Sequence, residues 1–525
     1  MPSHRQAYEY EPVTPSRRAR SGAGDGVAEE IATAGRTLEA SADGNADTDR
    51  TVEPLWQRPS RGARRESRAA RGSRTTSVKA ESRMMRRGHA LTYAGLFFFT
   101  ALLYFRPHDY ITLPASLTYW VALFTLAVFV PAQFAKEGNL TARPREVNLV
   151  LLLCLTALLS MPLAKASRVE AWNTFTGIFL RAVAMFIVMV NVVRTERRLK
   201  GLMLLSLGAG CMMALGALNN YRLGNFMVEG YRVEGVVSGI FGNPNDMALH
   251  LVTMLPLAVA LIFAARGFVR KAFYGASAVL LVAGTVVTFS RGGFLAMLAV
   301  LFTLAWTLGR KHRMEVVVLS LLFAAAFIAL APGNYSNRVL SIFDHGRDAF
   351  GSADARQELL KLSIKVALRN PLFGVGMGNF PFVSFRNQVS HNAYTQVAAE
   401  MGMWALVVYT MFIITPLRRL RRISHETFDA RRDTRFYYLA IGLQASLVGY
   451  LVASFFGSVA YYWNIYFLVG YAVCLRQLYE ASTARAAGET ASAAAARESD
   501  GRLERVSATT TLFDRETTAD RHSGL

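Results

Sequence analysis

Cysteine is scarce. The 525 residues include three, Cys154, Cys211 and Cys474, each inside an apolar run. No disulfide framework follows, and with no His/Cys cluster beside them no metal site is expected. A pair of aspartates suited to a divalent cation is also missing, so neither metal nor cofactor is expected. Acidic residues are outnumbered, 37 against 58 Lys and Arg, for a formal net charge of +21. The basic residues fall at the boundaries of apolar runs, which argues against nucleic acid as the partner. Residues 1–88 and 476–525 have almost no apolar runs. The N-terminal stretch is rich in Arg, Ser, Ala, Gly and Glu and poor in aromatics, the composition of a disordered segment. The first apolar run starts near residue 90, too far along for a signal peptide. Residues 1–88 are expected as a disordered basic cytoplasmic tail, solvated rather than bound to anionic lipid, and 476–525 as a second disordered cytoplasmic tail.

What the chain has in quantity is hydrophobic sequence, 52% of its residues. Apolar runs recur throughout 89–475, and a run near 20 residues matches a hydrocarbon core roughly 30 Å thick. The expected fold is all-α: a polytopic integral membrane bundle of about twelve transmembrane helices. The predicted spans are 90–105, 113–134, 147–163, 173–193, 201–218, 246–265, 272–289, 292–309, 315–332, 400–416, 436–456 and 459–475. A long loop, 333–399, separates the ninth from the tenth.

Lys and Arg accumulate on cytoplasmic loops. Alternate short connections carry Lys136, Arg143 and Arg145; Arg194, Arg197, Arg198 and Lys200; Arg266, Arg270 and Lys271; Arg310, Lys311 and Arg313; then "LRRLRR" and "ARRDTR". The other connections hold Arg106, Lys165, Arg168, Arg222, Arg232 and Arg291. Both termini are therefore expected in the cytoplasm. Arg232, Arg291 and the loop 333–399 are expected on the outer face.

Several polar stretches need explaining. In "NPND", Pro244 marks a helix start, with Asn245 or Asp246 available as the cap. Residues 352–370 read as an amphipathic helix ended by Pro371, lying on the membrane or over the bundle. In "PLFGVGMGNF" the glycines suit tight backbone better than a nucleotide loop, because no Gly-Lys-Ser/Thr follows and no strand precedes. Arg181 sits in mid-run, where charge is costly, and would line a cavity or pair with a carboxylate. His391 stands before a helix in "SHNAYTQVAAEMGMWAL" and shares the outer face with Arg232 and Arg291. Guanidinium groups fork onto phosphate oxygens, and a neutral imidazole takes a proton from a hydroxyl.

"FGNPNDMALHL", "FSRGGFLAML" and "NPLFGVGMGNF" followed by "SHNAYTQVAAEMGMWAL" resemble, in order and spacing, the O-antigen ligase and polymerase superfamily of bacterial inner-membrane glycosyltransferases. The resemblance spans roughly residues 90–475. It implies transfer of a glycan from an undecaprenyl-diphosphate carrier to an acceptor hydroxyl, lipid A–core or another glycan, at the periplasmic face. It also implies an inverting, metal-independent reaction. Arg232 and Arg291 would bind the diphosphate, and His391 would activate the acceptor, with Asn392 and Tyr394 as further substrate-binding residues. The long basic N-terminal tail departs from the family pattern. A polymerase, a protein O-oligosaccharyltransferase and, from another class, a polytopic transporter remain open readings. Against the last stand the lack of an internal repeat and a polar signature gathered at one surface.

Overall fold

A computed structural model describes residues 89–519, apart from 112, 115, 227–231, 236, 238–240, 310–313, 315–317, 319–351, 386 and 432. The N-terminal tail, the predicted helix 315–332 except one position, and the loop up to residue 351 lie outside the described residues.

Helices make up the described structure, with no strand among them. They are α1 (89–105), α2 (Leu117–Glu137), α3 (Arg145–Ser160), α4 (Arg168–Thr174), α5 (Leu180–Val192), α6 (Glu196–Arg222), α7 (Pro244–Ala264), α8 (Phe268–Val287) and α9 (Arg291–Leu308). After the gap come α10 (Ser352–Arg369), α11 (Phe380–Val383), α12 (Ala393–Met401), α13 (Met403–Glu426), α14 (Phe436–Ala453) and α15 (Trp463–Ala519). A π-helical turn, Phe175–Phe179, joins α4 to α5 so that Arg168–Val192 forms one span.

Among the described residues, eight helices are long and apolar enough to cross a membrane. The expected twelve are thus reached in part. The segments α1 and α3 are helical but short, and the predicted 459–475 is the first part of the longer α15.

The centre of the bundle is α7, buried along nearly its whole length and flanked by α6, α8, α9 and α14. Small residues on α14 set its distance from α7 and from α9. A Cβ at Gly442 would fall 2.6 Å from the Ala260 Cβ, and one at Gly449 2.6 Å from Val300 Cγ2. Lipid supplies little hydrophobic drive between helices, so such close backbone approach is what holds them together.

Two expectations are corrected. The helix predicted at 400–416 is two helices, broken at Gly402, whose φ of +92° disfavours any L side chain. A Cβ there would also strike the Leu372 carbonyl oxygen at 2.3 Å. The C-terminal tail, expected to be disordered, continues α15 as helix to Ala519. No proline follows Trp463, and alanine-rich stretches such as "ASAAAAR" have high helix propensity. Just past the expected boundary, Arg476 donates to both carboxylate oxygens of the buried Glu146 at 2.7 and 3.2 Å, tying α15 to α3.

Arg181 meets neither expectation. It is exposed on α5, with its guanidinium 5.4 Å from the Tyr119 ring centroid on α2.

Candidate active site

Asn243 is where the site begins. Pro244 occupies the first helical position of α7, which keeps the preceding residue extended and so in capping conformation. Asn243, rather than Asn245 or Asp246, is therefore the cap, its side-chain oxygen accepting from the Asn245 amide at 2.8 Å. This leaves the Asn245 side chain to bridge. Its Oδ1 accepts from Arg232 Nη2 at 2.9 Å and from Ser290 Oγ at 2.9 Å.

Arg232 is 2% exposed, and its Nε donates to the Thr288 carbonyl at 3.1 Å. The arginine from one loop is thus tied to the end of α8 and the start of α7. The next turn is strained, because Phe289 adopts φ +52°. Ser290 then caps α9, accepting from the Gly293 amide at 3.2 Å, and Arg291 takes the first helical position, 9% exposed. Arg291 thus sits in the first turn of α9, at the positive end of the helix dipole, where an anion would be favoured.

A second element gathers the motifs. The turn "SFFGS", 454–458, closes α14, and three separate stretches pack on it. A Cβ at Gly292, beside Arg291, would fall 2.7 Å from the Phe456 Cβ, and one at Gly457 3.7 Å from Asp246 Oδ1. Asn392 Nδ2 donates to the Phe455 carbonyl at 3.2 Å, and Ser390 Oγ lies 3.2 Å from Ser458 Oγ. The "NPND", "SRGG" and "SHNAY" motifs, far apart in sequence, therefore meet around one short turn.

Asn392 caps α12, its Oδ1 accepting from the amides of Tyr394 and Thr395 at 2.9 and 3.0 Å. The Tyr394 hydroxyl donates to the Leu451 carbonyl at 2.9 Å and accepts from Ser454 at 3.2 Å. Both side chains, expected from sequence to bind substrate, also help to build the site. His391 is different. It sits in a bend at φ +53°, half-buried. Burial first, and then the Arg356 charge, push its imidazole down to about 4. At neutral pH it is uncharged and can accept a proton.

Arg356, which sequence reading missed, comes from α10. Ser363 on α10 donates to Thr395 on α12 at 2.8 Å, and farther along the Met403 amide donates to the Pro371 carbonyl at 2.7 Å. The second pair lies eight residues beyond the first along both segments, so α10 and α12 run parallel. That register carries the N-terminal turns of α10 toward the His391 end of α12. Arg356 interacts electrostatically with both His391 and Asp246. The signal in sequence was its 3- and 7-residue spacing from Leu359 and Ser363, which face α12.

The glycine-rich loop grips a carboxyl group from its own chain. Glu400, 2% exposed, accepts from the Gly378 and Phe380 amides at 2.9 and 3.3 Å and from the Tyr461 hydroxyl at 2.8 Å. Burial pushes its carboxyl up to about 7 against those three donors. Gly374, at φ +69°, lets the loop pass the Glu400 backbone, where a Cβ would lie 2.3 Å from the carbonyl carbon. Asn379 fixes the loop to the start of α4, exchanging hydrogen bonds of 2.7 and 2.9 Å with the Ser167 backbone. Among the described residues no group of His, Cys, Asp and Glu is arranged to hold a metal ion.

Residues 276–410 match the family model described as O-Antigen ligase. That span runs from within α8 to the second turn of α13. It takes in Arg291, Arg356, His391, Asn392, Tyr394 and Glu400, whereas Arg232 precedes it. No curated protein matches the chain.

Proposed function

We propose, from the match of residues 276–410 to the O-antigen ligase family, that the chain is a glycosyltransferase of that superfamily acting at the periplasmic face of the bacterial inner membrane. The donor is a glycan on an undecaprenyl-diphosphate carrier. The acceptor is a hydroxyl of lipid A–core or of another surface glycan.

The observation that carries this reading is that the stretches bearing Arg291, His391 and Asp246 pack around the 454–458 turn, with Arg232 clamped through Asn245 to the start of α7. In the proposed step, neutral His391 takes the proton of the acceptor hydroxyl, and that oxygen attacks the anomeric carbon from the face opposite the carrier. The bond from that carbon to the diphosphate oxygen breaks, with inversion. The electron pair leaves on undecaprenyl diphosphate, whose charge Arg291 and Arg232 meet. Arg356 adds a third positive charge near the base. The donor is already activated and the cations are supplied by arginine, so no metal enters the proposal.

The test is reconstitution in liposomes with carrier-linked glycan, acceptor and EDTA, without an ion gradient. Capped lipid A–core is the expected product. Longer carrier-linked chains would make the enzyme a polymerase and modified protein a protein glycosyltransferase. No turnover with any acceptor, while glycan crosses the bilayer under a gradient, would overturn the reading in favour of a transporter.

A further inference from the structure

The end of α7 remote from these residues opens on a cavity of about 470 Å³. At roughly 1.5 Å per residue, the 21 residues of α7 put it about 30 Å from Asn243, one hydrocarbon thickness away. Three connections meet there: 195–200 before and within α6, 264–270 between α7 and α8, and 435–439 at the start of α14.

Its lining divides by chemistry. Arg197, Lys200, Arg266, Arg270 and Arg435 contribute five cations, against the single carboxylate of Glu196. Among the described residues no carboxylate lies within ion-pair distance of any of the five, and Lys200 instead stands 6.0 Å from the Tyr274 ring centroid. Deeper in, the walls are apolar and buried: Leu199, Met203, Leu261, Phe436 and Leu475. The first turns of α6 and α14 also open into it, adding the positive ends of two long helices. Cations that merely orient a membrane protein need no cleft; they serve equally well on open loops. Here unpaired positive charge rims a chamber with greasy walls.

We infer that this cavity binds an anionic glycerophospholipid, its phosphate headgroup among Arg197, Arg266, Arg270 and Arg435 and its acyl chains against the apolar wall. The shape suits a lipid better than a free anion, because a soluble phosphate leaves that wall empty. The site is separate from the glycan-transfer residues and stands whether or not the proposed reaction is correct.

The test uses the full chain in nanodiscs of equal phosphatidylglycerol and phosphatidylcholine, released and weighed by native mass spectrometry. Wild type should retain phosphatidylglycerol in preference to phosphatidylcholine. The triple variant Arg266→Gln, Arg270→Gln, Arg435→Gln should lose it on the order of a hundredfold, since each cation near an anionic headgroup contributes roughly fivefold. Ala265→Trp, which fills the chamber and keeps every cation, should lose it too and decides the matter if the triple variant fails to fold. Added inorganic phosphate should not displace the lipid. Equal retention of both lipids, undiminished retention in Ala265→Trp, or displacement by phosphate would each overturn the inference.

Discussion

Arginine is treated in opposite ways at the two ends of α7. At the Asn243 end, Arg232 and Arg291 are 2% and 9% exposed, and Arg232 is held by Asn245 and the Thr288 carbonyl. At the Ala264 end, Arg197, Arg266, Arg270 and Arg435 are exposed. Burying a guanidinium is costly unless its hydrogen bonds are met. A fold that buries two of them beside a strained turn is maintaining a fixed geometry. Exposed arginines are cheap, and they report the side of the membrane or the capture of a mobile anion. Burial, more than charge count, separates the mouth proposed for chemistry from the mouth proposed for lipid.

The largest effect should come from the buried mouth. Arg291→Ala and His391→Ala should each lower kcat for glycan transfer about 100-fold to 1,000-fold, with thermal unfolding unchanged. Arg291→Lys keeps the charge and loses the fork, so a drop of about tenfold or more is expected. A wild-type rate in Arg291→Lys would remove the reason for an arginine there.

Next comes the clamp. Asn245→Leu leaves Arg232 in place without its bridge to Ser290, and transfer should fall about tenfold, the scale of one hydrogen bond to a charged group. If Arg232→Gln is harmful while Asn245→Leu is silent, the clamp is not what orients Arg232.

The pH profile gives a finer measure. With the imidazole at about 4, the acid limb of kcat/KM should lie near pH 4 rather than near 6.5, because that ratio reports the free enzyme. Arg356→Gln removes a positive charge that disfavours imidazolium, so His391 should become easier to protonate and the limb should move to higher pH. A limb that stays put would separate Arg356 from the base.

Glu400 tests the scaffold. Folded, its carboxyl keeps its proton up to about 7; unfolded, it releases it near about 4.3. The folded state binds more protons between those values, so stability should decline as pH rises through that window. Glu400→Gln should flatten the slope in denaturation curves, by a few kcal/mol at most. The smallest effect belongs to the other end, where Lys271→Gln should leave transfer within about twofold of wild type.

Much of this architecture was legible in the residues. Apolar runs found the helices because lipid admits little other structure, and turn chemistry in "NPND" marked the start of α7. His391, Arg291 and Arg232 stood out in the sequence as candidates for chemistry because their side chains have few bland uses at membrane boundaries. Asn392 and Tyr394 were harder, since capping and substrate binding use the same polar atoms. Arg356 could not be found from composition, because a basic residue on an amphipathic helix is ordinary until a neighbour is known.

The sequence by itself determined a membrane-embedded helical protein, with basic connections segregated from sparse ones, through hydropathy and charge that act locally along the chain. Tertiary structure decided which polar residues share a place. It brought three distant motifs onto 454–458, turned the glycine-rich loop onto Glu400 and assembled a cation-rimmed chamber from three connections. Those arrangements depend on helix register and close backbone approach, which no single stretch of chain encodes.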